Sequence, residues 1–126
     1  MGSRMLRLKW IMLAAMLWLP QASYSAAPIQ GGQEALPVIA IADLPGEARD
    51  TLRAIKQGGP FAYPRDGAVF NNFESVLPKR QRGYYHEYTV TTPGVDNRGV
   101  RRIISGEPDE YYYTADHYQT FKRILE

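Results

Sequence analysis

The sequence predicts an α+β domain, one N-terminal helix packed on an antiparallel β-sheet. A single stretch after residue 43 repeats apolar residues at helical spacing. The stretches after residue 67 are rich in aromatic and β-branched residues and are separated by Gly, Pro, Asn and Asp. One helix followed by a run of strands is the pattern of an α+β fold.

At 126 residues the chain suggests one small domain. Residues 1–26 precede it. Arg4, Arg7 and Lys9 form a positive start, "WIMLAAMLWL" runs apolar, Pro20 breaks the run, and "QASYSAA" supplies small residues. This is the composition of a secretory signal peptide, with cleavage around Ser25 to Ala27. The apolar run is short for a bilayer span, so the expectation is a secreted chain, extracellular or periplasmic, with no stable membrane association once the leader is removed.

Residues 27–42, "APIQGGQEALPVIAIA", read as a flexible extension ending in an apolar run, and the domain proper is expected over residues 43–126. Asp43 is the expected N-cap of the helix, with Pro45 near its first position. Ala48, Leu52 and Ile55 recur at i, i+4 and i+7 and make one apolar face, while Glu47, Arg49, Asp50, Arg53 and Lys56 make a solvated one. "GG" at 58–59 followed by Pro60 ends the helix. "GAVF" (67–70), "GYYHEYTVTT" (83–92), "RGVRRIISG" (98–106) and "EYYYT" (110–114) are the expected strands, and "HYQTFKRIL" (117–125) is a last strand or turn. "PGVDN" (93–97) joins two of them, so residues 84–105 read as a long hairpin.

Composition narrows the chemistry. The leader holds three of the 15 basic residues and no acid, which leaves 12 against all 13 acidic residues, a net charge near −1. Overall basicity therefore gives no argument for nucleic acid. Local clustering does: Lys79, Arg80, Arg82, Arg98, Arg101 and Arg102 share one stretch with only Glu87 and Asp96 as acids, a patch that could meet phosphates. There is no cysteine, so thiol nucleophiles, cysteine–zinc sites and disulfides are excluded. A domain of roughly 100 residues can be held by its core alone.

A zinc-protease reading of His86–Glu87 needs a second histidine four residues after the first, on a helix, and that position is Val90 in a strand. Ser75 and Ser105 lie in no nucleophile elbow. Acid–base catalysis fits better. Strand alternation puts Glu87 on one face with Tyr85, Thr89 and Thr91, and His86 on the other with Tyr84, Tyr88 and Val90. Arg98, Val100, Arg102 and Ile104 share a face of the partner strand. In register, one carboxylate and two guanidiniums converge, which suits phosphate chemistry on a hydroxyl nucleophile. His117 could supply the acid. The same pattern also fits a cross-strand salt-bridge ladder on a wet face.

The stretches "GPFAYPRDGAVFNNFESVLP", "GYYHEYTVTTPG", "NRGVRRIISG" and "YYTADHYQTF" resemble, in order and over nearly the whole domain, the secreted microbial guanyl-specific ribonucleases, the barnase-like group and its streptomycete branch. The resemblance implies that Glu87 is the base on the ribose 2′-hydroxyl and His117 the acid on the departing 5′-oxygen. It implies that Arg98 and Arg102 bind the scissile phosphate and that Tyr118 lines the same site. The implied reaction is transesterification of single-stranded RNA to a 2′,3′-cyclic phosphate, then slower hydrolysis to a 3′-phosphate, with no metal or other cofactor. Guanine recognition is implied in "FNNFE": Glu74 on N1–H and the 2-amino group, backbone N–H groups around Asn71, Asn72 and Phe73 on N7 and O6, and Phe70 supporting the loop or stacking on the base. A separate reading of biological role makes the chain a monomeric toxin neutralised by a barstar-like inhibitor, since an acidic partner would fit a phosphate site lined by arginines. The chain departs from the family it resembles in lacking the disulfide usual there, in carrying Phe73 where arginine is common, and in a segment before His117 about one residue shorter. A non-catalytic RNA- or protein-binding module on the same fold is the competing expectation.

Overall fold

The structure, a computed structural model, describes residues 35–126; the leader expected over residues 1–26 and its cleavage around Ser25 to Ala27 lie outside the described residues. The helix, α1, spans Gly46–Gln57. Ala48 and Leu52 on its apolar face are buried and Ile55 packs beside them. Its C-terminus closes as expected. Gly58 takes the left-handed conformation (φ 83°) and its N–H bonds back to Ala54 and Ile55, a position that favours glycine. The N-terminus differs from expectation. Asp43 ends a 3₁₀ turn, Ile41–Asp43, and Pro45 is itself the N-cap, with no side chain capping the first turn. The extended φ and ψ of Pro45 suit a half-in residue better than a helical one.

The strands are β1 (Val38–Ala40), β2 (Ala68–Phe70), β3 (Tyr85–Thr89), β4 (Arg102–Gly106), β5 (Glu110–Thr114) and β6 (Lys122–Leu125), in the sheet order β1-β6-β5-β4-β3-β2. All neighbours pair antiparallel except β1 with β6, which is parallel. The sequence-based α+β class is what forms. The extension expected over residues 27–42 is corrected at its C-terminal end: Val38–Ala40 is an edge strand held by β6, and Arg123 N donates to Pro37 O at 2.8 Å. Among the described residues no helix is long and apolar enough to cross a membrane.

Alternation along the strands makes two cores. Ile103 and Val90 join Leu44, Ala48, Leu52, Tyr111, Tyr113 and Ile124 on the helix side. Ile104, the next residue of β4, points the other way and packs with Leu77, Tyr85, Tyr112 and Phe121. Ile103 and Ile104 are both fully buried, and each contributes roughly 1.5–3 kcal/mol of apolar burial. The second core stiffens the face of β3 and β4 that carries the polar site.

Candidate active site

Glu87 sits at the centre of β3, opposite Ala68 of β2 and Ile104 of β4. Parity places it with Tyr85 and Thr89, as expected, and all three are buried; this face lies away from α1, since Tyr85 packs in the core that excludes the helix. A carboxylate at 5% exposure requires partners. Tyr118 donates its hydroxyl to Oε1 at 2.7 Å, and Arg98 Nη2 reaches the same oxygen at 3.4 Å. Arg102 Nε lies 3.9 Å from Oε1, and Arg65 Nη2 lies 3.6 Å from Oε2. Burial, and then its bond to Glu87, raises the Tyr118 phenol above its usual range, so it stays protonated and keeps donating.

The two expected arginines arrive by different routes. Arg102 opens β4 opposite Thr89, 3% exposed, and donates to Tyr118 Oη and to the carbonyls of Gly99 and Arg101. Arg98 is not on a strand. Residues 98–101 form an irregular connector, and Arg98 folds back from it to donate to Thr89 Oγ1 at 3.0 Å. Val100, expected to share that face, is 48% exposed. Gly99 explains the break. It has φ 67°, its N–H bonds to Asn97 Oδ1, and a Cβ there would meet Thr92 Oγ1 at 2.7 Å, so only glycine fits between the two arginines. The third guanidinium, Arg65, was not singled out from the sequence; its signal is a basic residue in the turn just before β2, whose register against β3 is needed to see it.

His117 and Tyr118 lie on the loop after β5, both with left-handed backbone (φ 59° and 76°). Non-glycine residues held this way need a loop that over-determines them. Buried Thr114 accepts from the N–H of Asp116 and of Tyr118, and Asp116 accepts from the hydroxyls of Thr114 and Thr120 and from Thr120 N. His117 N is tied to Val100 O at 3.0 Å. The imidazole itself is exposed on the cleft, 4.6 Å centroid to centroid from the Tyr118 ring. Bonds from Thr120, then Thr114, hold the Asp116 carboxyl down at about 2. This folded value lies below the unfolded one, so the stabilisation is complete above about pH 4 and is lost as pH falls toward 2. Asp116→Ala should cost about 1–2 kcal/mol at pH 7 and flatten the loss of stability below pH 4. Urea melts across that range check both, and an unchanged acid limb would contradict the role.

The loop expected to recognise a base follows β2. Asn72 (φ 55°) staples it: its side-chain amide donates to Leu77 O and its Oδ1 accepts from Leu77 N, so the side chain is spent inside the loop. Asn71, Asn72, Phe73 and Glu74 all line the cleft, and Phe73 is 88% exposed. Phe70 stacks on Tyr118, with centroids 5.2 Å apart and planes at 22°, and meets Phe121 edge-on. The cleft, ≈ 520 Å³, runs from this loop past Phe70 to Glu87, Arg65, Arg98 and His117.

Two other expectations sort out here. His86 turns away from Glu87, its Nδ1 2.9 Å from Gly67 O, which is the structural role expected of it. The single basic patch expected over residues 79–102 is split by the fold. Arg98 and Arg102 enter the cleft, Arg101 pairs with Glu47 of α1 on the opposite face at 3.7 Å, and Lys79, Arg80 and Arg82 are exposed on the loop before β3. Among the described residues no cluster of three or more His, Cys, Asp or Glu is placed to hold a metal ion.

A buried carboxylate ringed by guanidiniums, with an exposed imidazole on the same cleft, is the equipment of an acid–base catalyst acting on a phosphodiester. A family model described as ribonuclease matches residues 28–125, and the chain belongs to that family. It is 53% identical over 87 residues to guanyl-specific ribonuclease St of Saccharopolyspora erythraea, covering 69% of this chain and 86% of that protein. It is 59% identical over 87 residues to guanyl-specific ribonuclease Sa of Kitasatospora aureofaciens, covering 68% and 91%. Among solved structures it is similar to ribonuclease Sa2 in complexes with mononucleotides (TM-score 0.73, 49% identity, 75% of this chain and 98% of that one) and with guanosine-2′-cyclophosphate (TM-score 0.69, 50% identity, 72% and 97%).

Proposed function

We propose that this protein is a secreted endoribonuclease that cleaves single-stranded RNA after guanosine, by transesterification through a 2′,3′-cyclic phosphate to a 3′-phosphate, without a metal. The observation that carries it is the environment of Glu87: a buried carboxylate on the cleft faced by three guanidiniums, with Oε1 held by Tyr118 and Oε2 3.6 Å from Arg65. Glu87 takes the proton of the 2′-hydroxyl as that oxygen bonds to phosphorus. Arg98 and Arg102 hold the phosphate and the charge that grows on it. His117 gives a proton to the departing 5′-oxygen. In the second step the roles reverse, with His117 activating water and Glu87 returning its proton to the 2′-oxygen. The 2′-hydroxyl is the nucleophile, so DNA of the same sequence binds without being cut.

Guanine preference is placed on Glu74, which would accept from N1–H and the 2-amino group while loop N–H groups near Asn71, Asn72 and Phe73 meet N7 and O6. Adenine turns a lone pair toward Glu74 at N1, and unpaired polar groups discriminate strongly. The names of the relatives support this assignment, as does the position of Glu74 on the same cleft as Glu87. Glu74→Ala should lower the GpC over ApC preference in kcat/KM by about 10²–10⁴-fold, the worth of two hydrogen bonds to a charged acceptor. A variant that still prefers guanine as strongly contradicts the assignment. Secretion is supported by the leader composition, and the enzyme is proposed to act as a monomer. A barstar-like inhibitor with an acidic face would complement the arginine-lined cleft.

A further inference from the structure

Arg65 differs from the other cations of the cleft. It lies in the turn "YPRDG", and that turn is pinned. Asp66 N donates to Tyr63 O and Ala68 N to Arg65 O, at 3.0 and 3.1 Å. The Asp66 carboxylate accepts from Tyr63 N at 3.1 Å and from Thr89 N on β3 at 2.8 Å. The backbone under Arg65 is therefore fixed to the strand that carries Glu87, while its side chain is 61% exposed. Arg98 and Arg102 are anchored through part of their guanidiniums, Arg98 by Thr89 Oγ1 and Glu87 Oε1, Arg102 by two carbonyls and the Tyr118 hydroxyl, which leaves N–H groups of each for the phosphate. Among the described residues the Arg65 guanidinium has one partner, Glu87 Oε2.

The two oxygens of Glu87 are correspondingly unequal. Oε1 accepts from Tyr118 and Arg98 and faces Arg102. Oε2 faces Arg65 alone, with no hydrogen bond at 3.6 Å. Oε2 is the oxygen free to take a proton.

We propose that Arg65 is a third catalytic arginine that exchanges Glu87 Oε2 for a phosphoryl oxygen as the proton moves; this rests on the ribonuclease reading above. Before reaction the carboxylate and the phosphodiester each carry one negative charge. The 2′-hydroxyl proton passes to Oε2, its O–H electron pair forms the bond to phosphorus, and the P–O5′ bond breaks with its electrons on the leaving oxygen, which His117 protonates. At the crest of this step Glu87 is neutral and the phosphoryl group holds the second charge. Arg65 loses its partner as a dianion forms beside it, within the sweep of a half-free arm. Such an interaction is stronger in the transition state than in the ground state, so it accelerates the reaction rather than tightening substrate binding.

The test is steady-state cleavage of GpC by the full mature chain and its R65Q and R65K variants. R65Q should lower kcat about ten- to a hundredfold, less than a fully enclosed oxyanion donor because the arm is exposed, with KM changed by less than about threefold. R65K should recover part of kcat by keeping the charge. Inhibition by guanosine with vanadate, which mimics the five-coordinate phosphorus, should weaken by the same factor as kcat/KM, while 3′-GMP affinity and Tm stay near the wild-type values. An R65Q enzyme with unchanged kcat, or one altered in KM alone, overturns the proposal. So does an R65K enzyme no better than R65Q. Wild-type protein that fails to cleave GpC would overturn the ribonuclease reading instead.

Discussion

Glu87→Gln should lower kcat for GpC cleavage by about 10²–10⁴-fold, the contribution of a positioned general base. The replacement keeps the size of the side chain and an oxygen that can accept from Tyr118, but its amide cannot take the 2′-hydroxyl proton. The structure separates this loss from a folding defect. Arg102, at 3% exposure, keeps three other acceptors in the variant, the Gly99 and Arg101 carbonyls and Tyr118 Oη. Arg98 keeps Thr89 Oγ1. The guanidiniums should therefore stay in place, and KM should move far less than kcat. Single-turnover rates at substrate saturation check the claim. A rate within a few-fold of wild type would remove Glu87 from the base role.

His117→Gln should be as damaging for GpC, about 10²–10⁴-fold in kcat, but its effect depends on the leaving group. A ribose 5′-oxygen leaves as a strong base and needs a proton. A nitrophenolate does not. With a guanosine 3′-nitrophenyl phosphate the His117→Gln enzyme should approach the wild-type rate, while Glu87→Gln remains slow on both substrates because the nucleophile is the same. The position of the imidazole supports this division: it is exposed on the cleft rather than bonded to Glu87, and its backbone is locked by Val100 and the Thr114–Asp116 network. Equal losses on the two substrates would contradict a leaving-group role.

Much of this site was legible before the fold, for a specific reason. Strand parity depends only on local sequence, so the separation of Glu87 from His86 follows from "YYHEYTV" directly; the common face of Glu87 and Arg102 also needs the hairpin register, which pairs Thr89 with Arg102. Parity alone puts Arg98 on a strand, whereas Gly99 breaks the chain there and Arg98 reaches Thr89 from a loop. Arg65 was not found, because a basic residue in a Pro-Asp-Gly turn is indistinguishable from ordinary solvated turn chemistry until the register of β2 on β3 is known. The N-terminal strand was missed for a similar reason. Val38–Ala40 pairs parallel with β6 at the far end of the chain, and a three-residue edge strand carries no signal of a partner so distant. The helix start slipped from Asp43 to Pro45 because a 3₁₀ turn absorbs the acidic residue that local rules make a cap.

The central claim is that one metal-free cleft both chooses guanine and moves the protons. The most direct measurement follows the purified mature chain on GpC and on ApC in excess EDTA, with products resolved over time. The expected result is rapid loss of GpC to guanosine 2′,3′-cyclic phosphate, slower conversion to the 3′-phosphate, and cleavage of ApC slower by orders of magnitude. Equal rates on the two dinucleotides, or activity that EDTA abolishes, would contradict it.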